Sequence, residues 1–315
     1  MENFQYILPE IFISVSIMLF LLVGVFKKNS ASLIYNLSNI SLVILLALII
    51  NLSSLDTIYL FNESYLIDNL SNYMKIILVG SGIFVMLTGS KYIQVINLNK
   101  IEYPILILSS ILGMMIMISS NDLIVFYMGL ELQSLALYVL ASFNRDNLLS
   151  TESGLKYFVL SALSSGLLLY GCSLTYGFSE STNFDQILIN STEFNYGTTF
   201  GIVFILVGLA FKISAVPFHM WAPDVYQGSP TSVTLFFAIL PKIAALSVFI
   251  KFLYTPFANM NDQWQTIIVF ISIASMIFGA VAAIGQKNLK RLIAYSSISH
   301  MGYALAGLAT VSNQG

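Results

Sequence analysis

The chain has 315 residues, of which 57% are hydrophobic and only 9% are charged, and its formal net charge is −2. Soluble domains carry about 25% charged residues, so this composition excludes a soluble globular protein and indicates an integral membrane protein. The single cysteine, Cys172, excludes an internal disulfide, a cysteine-based zinc site and an iron–sulfur cluster held by this chain alone.

Ten apolar segments are long enough to cross a bilayer, because a span needs about 20 residues. They cover residues 9–26, 33–51, 71–90, 104–120, 123–142, 155–177, 198–227, 230–253, 264–285 and 289–310. The longest connections, at 52–70 and 178–197, are polar and acidic. The sequence therefore predicts an all-α polytopic transmembrane bundle with about ten spans.

The basic residues predict how these spans are oriented, since cytoplasmic loops carry an excess of Lys and Arg. If the N-terminus is outside, only Lys75 and Lys251 lie towards the outer side. Nine basic residues then fall on the cytoplasmic or matrix side: Lys27, Lys28, Lys91, Lys100, Arg145, Lys156, Lys287, Lys290 and Arg291. This bias supports ten spans and an uncleaved first helix.

The seventh segment, 198–227, is too long for one straight span, since its 30 residues would extend about 45 Å as a helix. Pro217 and Pro223 interrupt it, and a proline removes a backbone hydrogen bond and clashes with the preceding turn. Irregular backbone at membrane depth survives only where it lines a cavity or is buried in protein. We predict a discontinuous helix, broken near 214–217, with Lys212 just before the break.

Three charged residues, Glu131, Lys212 and Lys242, lie deep inside the apolar segments, far from the segment ends. A charge at the bilayer centre costs about 2.5–3.5 kcal/mol on insertion scales, so such residues usually belong to an ion or proton path. Both lysines lie ten or more residues from each end of their segments, which is too deep for snorkelling. Pro241, directly before Lys242, predicts a local distortion of the eighth segment.

Glu131 shares one helical face with Tyr127, Ser134 and Tyr138, and such a face can hold water. The alternative is a structural carboxylate that pairs with a neighbouring helix. For the lysines, burial favours the neutral amine and a nearby carboxylate favours the ammonium. A lysine that is subject to both effects can bind and release a proton.

The two histidines carry weaker signals. His300 titrates in a range that suits proton exchange at neutral pH, and Ser296, Ser299 and Tyr303 lie within two turns of it. A lone helix histidine is equally often a packing residue, so both interpretations stay open. His219, after the break, is interpreted first as a brace for the bend. A haem held by the two histidines is formally possible, although their surroundings do not suggest one.

The most specific motif runs Phe211-Lys-Ile-Ser-Ala-Val-Pro-Phe-His-Met-Trp-Ala-Pro-Asp-Val-Tyr-Gln-Gly-Ser-Pro-Thr231. With Glu131-Leu-Gln-Ser-Leu-Ala and Gln286-Lys-Asn-Leu-Lys-Arg, it resembles the antiporter-like membrane subunits of respiratory complex I. Within that family, the Asp-Val-Tyr-Gln-Gly run and the Pro241-Lys242 pair look like subunit N, the mitochondrial NADH dehydrogenase subunit 2. The resemblance covers residues 100–305.

This resemblance implies an architecture of about fourteen helices with two inverted five-helix repeats. Residues 1–100 would form an N-terminal three-helix segment, 101–255 the first repeat and 256–315 part of the second. The chain would then be truncated at its C-terminus relative to the family. A faint internal repeat aligns Ala136-Leu137 with Ala304-Leu305 and sets Ser299 opposite Glu131.

The resemblance also implies roles for four residues in proton translocation. Glu131 and Lys212 would form a coupled pair, Lys242 would be central to a hydrophilic axis, and His300 would lie further along it. The chain would hold no cofactor, and NADH, FMN, iron–sulfur clusters and quinone would belong to partner subunits. The expected partners are the other membrane subunits of complex I, including the related antiporter-like ones, and membrane lipids, but no nucleic acid.

Two other functions stay open: a subunit of a multi-subunit cation/proton antiporter, and a structural scaffold for assembly of the complex. Complexes that use ferredoxin instead of NADH also carry this subunit. The expected location is the bacterial plasma membrane or the mitochondrial inner membrane, with the N-terminus on the periplasmic or intermembrane side.

Overall fold

The computed structural model describes residues 2–27, 30–53, 56–190 and 195–311, with side chains from residue 5 onward. Lys28, which was counted in the charge bias, lies outside the described residues, as does the segment 312–315. The helices are α1 (Leu8–Phe26), α2 (Ala31–Leu52), α3 (Asn69–Val95), α4 (Glu102–Ser119), α5 (Leu123–Ala141), α6 (Leu148–Ser179), α7 (Phe184–Asn190), α8 (Tyr196–Lys212), α9 (Trp221–Gly228), α10 (Thr231–Tyr254), α11 (Asn261–Ile284) and α12 (Leu289–Ala309).

The predicted all-α polytopic class is confirmed. Every one of the ten predicted segments coincides with a helix, and the seventh coincides with α8 and α9 together. Within the described residues, eight helices are long and apolar enough to span a membrane by length and composition, and α8 is a shorter apolar helix. The two long connections contain α7 and a small hairpin of strands β1 (Ile58–Leu60) and β2 (Tyr65–Ile67).

The predicted break in the seventh segment is confirmed. Helix α8 ends at Lys212, and the next helix, α9, begins only at Trp221. Ser214 has a left-handed backbone with a φ of 58°, which ends the helical run. The irregular stretch is held by hydrogen bonds, because the Val216 amide donates to Ser275 Oγ at 2.9 Å and the Trp221 indole donates to the Phe211 carbonyl at 2.9 Å.

The chain divides into two compact units, one of residues 1–151 with 230–247 and one of residues 152–229 with 248–315. In the first unit, α4 and α5 cross so closely that a Cβ on Gly113 would lie 2.5 Å from the Gln133 amide nitrogen. In the second unit, α11 and α12 repeat this contact, since a Cβ on Gly279 would lie 2.7 Å from the Ser299 amide nitrogen. Only glycine permits these backbone approaches.

These two helix pairs reveal the internal repeat and its register. The spacing from Gly113 to Gly279 is 166 residues, and the same spacing separates Gln133 from Ser299. It also separates the starts of α5 and α12, which lie at Leu123 and Leu289.

The helix caps agree with this register. Asp122 accepts hydrogen bonds from the second and third amides of α5, and Asn288 does the same at the start of α12. The register predicted from the alanine–leucine pairs is therefore wrong by two residues, because such pairs are too common in apolar helices to fix an alignment. Glu131 corresponds to Ser297, and Ser134 corresponds to His300.

Candidate functional site

Lys212 is the last residue of α8 and belongs to the second unit. It is 6% exposed, and its ammonium donates a hydrogen bond of 2.9 Å to Ser161 Oγ on α6. Helix α8 ends at this lysine, and the helix dipole favours a positive charge at a C-terminal end. The break therefore provides polar surroundings for a lysine at membrane depth.

Lys242 lies on α10 in the first unit and is 5% exposed. Its neighbour Leu240 is fully buried, and Phe237 is buried one turn before. Helix α10 continues through Pro241, so the predicted local distortion does not interrupt it. Pro241 has no amide hydrogen to donate to the Phe237 carbonyl four residues earlier, so the regular helical hydrogen bond is absent at this point.

Glu131 lies on α5, two residues after the point where Gly129 contacts α4, and it is half-buried. The predicted polar face is present, since Ser134 and Tyr138 are buried on the same helix. Ser134 Oγ donates to the Leu130 carbonyl at 2.6 Å. Glu131 and Lys242 are therefore in one unit, whereas Lys212 and His300 are in the other.

The two histidines are placed differently. His300 lies on an exposed face of α12 with its ring centre 6.3 Å from that of Tyr303, and its neighbour Ser299 is the residue buried against α11. His219 lies in the break between α8 and α9 with its ring centre 4.5 Å from that of Phe278. The contact of His219 agrees with its interpretation as a brace for the bend.

An ion-pair cluster fixes the second half of the broken helix. Asp224 on α9 accepts 2.8 Å and 2.7 Å hydrogen bonds from Lys156 on α6 and Arg291 on α12. Arg291 also donates to Gln227 at 3.1 Å. These two partners lie 68 and 67 residues away from Asp224 along the chain, so the sequence alone does not reveal the cluster.

Residues 120–315 match the family described as NADH:quinone oxidoreductase/Mrp antiporter, transmembrane. This chain belongs to that family. Subunit N of NADH-quinone oxidoreductase from Pelagibacter ubique is 71% identical over 100% of this chain and 67% of its own length. The corresponding subunit N of Rhodospirillum rubrum is 51% identical over 98% of this chain and 64% of its own length. The predicted resemblance to subunit N is thus confirmed.

Solved structures of antiporter-like subunits share the fold. A chain of respiratory complex I from Thermus thermophilus has a TM-score of 0.82 and 29% identity, over 97% of this chain and 65% of that one. A chain of the Mrp complex from Dietzia has a TM-score of 0.84 at 20% identity, over 98% of this chain and 59% of that one. This member of the family therefore spans about two thirds of the length of its relatives.

One buried polar cluster could not be predicted from the sequence, and it lies outside the residues that match the family. The Lys75 ammonium lies 2.7 Å from Glu10 Oε1, and these side chains are 4% and 7% exposed. Tyr65 donates to the same Glu10 oxygen at 2.8 Å and accepts from Lys75 at 3.1 Å. Burial, followed by the charge of Glu10, raises the pKa of the Tyr65 phenol well above its usual value, so the phenol stays a donor.

Proposed function

We propose that this chain is a proton-translocating membrane subunit of NADH:quinone oxidoreductase. Quinone reduction elsewhere in the complex would drive proton transfer through Glu131, Lys212, Lys242 and His300. The observation that carries the proposal is the burial of Lys212 and Lys242 in apolar helices, where each is about 95% removed from the surface. A leucine at either position would avoid the insertion cost, so a function that needs a charge explains them better.

The energetics of this mechanism are adequate. A unit charge that appears or disappears about 7 Å from a lysine changes its protonation free energy by ~2.4 kcal/mol at an effective dielectric constant of ~20. Moving one proton against about 200 mV needs ~4.6 kcal/mol. Two such steps in series therefore suffice. Lys212 would bind a proton with an affinity set by Glu131, and Lys242 would pass the proton on towards His300.

The proposal assigns the redox chemistry to other subunits. NADH, FMN, iron–sulfur clusters and quinone would be held there, and the other membrane subunits of complex I, including the related antiporter-like ones, would be the partners of this chain. Within the described part of the chain, no cluster of three or more His, Cys, Asp or Glu side chains is arranged as a metal site. The N-terminus would face the periplasm of a bacterium or the mitochondrial intermembrane space.

The test is the Lys212→Met substitution in the full-length subunit within the assembled complex. We expect proton pumping and quinone-reductase turnover to fall together by about tenfold while the complex stays intact, because the only titratable atom of the side chain is lost. Proton release per quinone reduced is measured in membrane vesicles. Lys251→Met is the matched control, since Lys251 is also 6% exposed but is not assigned to the path.

The outcomes separate the proposal from its two alternatives. Wild-type pumping in Lys212→Met, with normal assembly, would show that the lysine is structural and that the chain acts as a scaffold. Purification of the subunit with cation/proton antiporter subunits and without redox partners would favour the antiporter function, for which the likeness to the Mrp complex supports only the fold.

Ser161 is expected to act as a positioning residue for Lys212, because it accepts the hydrogen bond from the ammonium. Ser161→Ala should lower turnover about two- to fivefold, since the loss of one hydrogen bond to a charged group costs ~1.5 kcal/mol or less when water can substitute. Ser161→Thr keeps the hydroxyl and should restore turnover. Ser164→Ala is the control, because Ser164 is buried on the same helix and has no hydrogen-bond partner in the described chain.

A further inference from the structure

A cavity of about 390 Å³ lies beside Glu10 in the first unit. Its polar wall consists of Glu10 and Ser14 from α1 and Ser64 and Tyr65 from the hairpin. The rest of the wall is apolar and comes from Ile7, just before α1, and from α1, α4, α5 and the hairpin. Ile11 on α1 is 46% exposed at this cavity, so the apolar part opens on the surface of a spanning helix.

Glu10 lines this cavity, and one oxygen of its carboxylate lacks a hydrogen-bond donor in the part of the chain that the structure describes. Glu10 Oε1 already accepts hydrogen bonds from Lys75 and Tyr65, whereas Oε2 is buried and has no hydrogen-bond partner among the described residues. Burying a carboxylate oxygen without a hydrogen-bond donor costs several kcal/mol, so we expect a ligand to donate a hydrogen bond to Oε2. Lys75 is not among the described residues that line the cavity.

The charges around the cavity favour a cation. Glu63 adjoins Ser64 at the tip of the hairpin, and Asp122 caps α5 three residues before Val125, which lines the cavity. Among the described residues that line it, Glu10 is the charged one. A ligand with an ammonium group and N–H donors would match both the charge and the free oxygen.

We propose that this cavity binds a phospholipid with a primary ammonium headgroup, phosphatidylethanolamine. The ammonium donates a hydrogen bond to Glu10 Oε2, and an acyl chain lies against the apolar wall near Ile11. The ligand comes from the membrane because the apolar wall is built by spanning helices. Phosphatidylcholine carries the same charge but has no N–H group, so the site discriminates between the two headgroups.

The test is a titration of the delipidated full-length protein with phosphatidylethanolamine or phosphatidylcholine of identical acyl chains, read by native mass spectrometry. We expect about tenfold tighter binding of phosphatidylethanolamine, the effect of one charge-assisted hydrogen bond. Glu10→Gln combined with Lys75→Met should abolish this preference while it keeps the fold, because both charges are removed together.

A second variant tests the cavity without touching the ion pair. Ser14→Phe places a ring in the cavity and should lower phosphatidylethanolamine binding about tenfold, whereas Val15→Phe, on the neighbouring exposed surface, should leave it unchanged. Equal binding of the two lipids to the native protein would overturn the proposal. So would a headgroup preference that survives in the Glu10→Gln, Lys75→Met double variant.

Discussion

Lys75→Met is expected to lower the free energy of unfolding by about 3–5 kcal/mol, since it leaves the Glu10 carboxylate buried and without its counter-charge. That loss is a large part of the 5–15 kcal/mol that is typical of a folded domain. The side chains concerned are 4% and 7% exposed, so the ion pair lies almost wholly out of water. The measurement is the midpoint of unfolding of the purified protein in detergent as SDS is added.

The double variant Glu10→Gln, Lys75→Met should recover most of this stability. Replacing a buried ion pair by uncharged groups of similar size often changes the free energy of unfolding very little. Lys156→Met is the matched control. Lys156 also forms ion pairs, with Glu152 and Asp224, but it is 43% exposed, so its loss should cost less than about 1 kcal/mol. Additive effects of Glu10→Gln and Lys75→Met would show that the two side chains do not stabilise each other.

The spans and the broken helix could be predicted from the sequence because they depend on local properties. A run of about 20 apolar residues fixes a span whatever surrounds it. Pro217, together with the excess length of 198–227, predicts a break, and α8 indeed ends at Lys212. The burial of Lys212 and Lys242 could be predicted for the same reason, since each lies deep inside an apolar segment.

The contacts that depend on distant parts of the chain could not be predicted. Glu10 and Lys75 each lie near the start of a predicted span, where a charge usually meets water, and the positive-inside count therefore treated Lys75 as a surface residue. Opposite charges at the same predicted end of the first and third spans were the available signal for their pairing. The hydrogen-bond partners of Asp224 also became visible only when α6, α9 and α12 were placed together.

The register of the repeat shows a different limit. Apolar identities between the two halves are uninformative, because leucine and alanine recur throughout spanning helices. Polar and small residues give the informative signals, which are the caps Asp122 and Asn288 and the contact glycines Gly113 and Gly279. With this register His300 corresponds to Ser134 and Glu131 corresponds to Ser297, so the proposed role of His300 does not follow from repeat symmetry.

Gly113→Ala is expected to lower the free energy of unfolding by about 1–3 kcal/mol and to reduce turnover, although alanine is the better helix former by about 1 kcal/mol. The added methyl would lie 2.5 Å from the Gln133 amide nitrogen and 2.8 Å from the Gly129 carbonyl oxygen. Both are backbone atoms, which cannot move aside by changing a rotamer, so α4 and α5 must separate. Glu131, two residues after Gly129, would then be displaced.

Gly80→Ala on α3 is the control for this prediction, because a Cβ there meets nothing within 4 Å. That variant should be neutral or slightly stabilised, since only the helix propensity changes. Gly279→Ala in the second helix pair should behave like Gly113→Ala, because its methyl would also meet a backbone nitrogen, at 2.7 Å. If all three variants unfold at the same SDS concentration as the native protein, close glycine contact does not hold these helix pairs together, and the register based on it loses its physical basis.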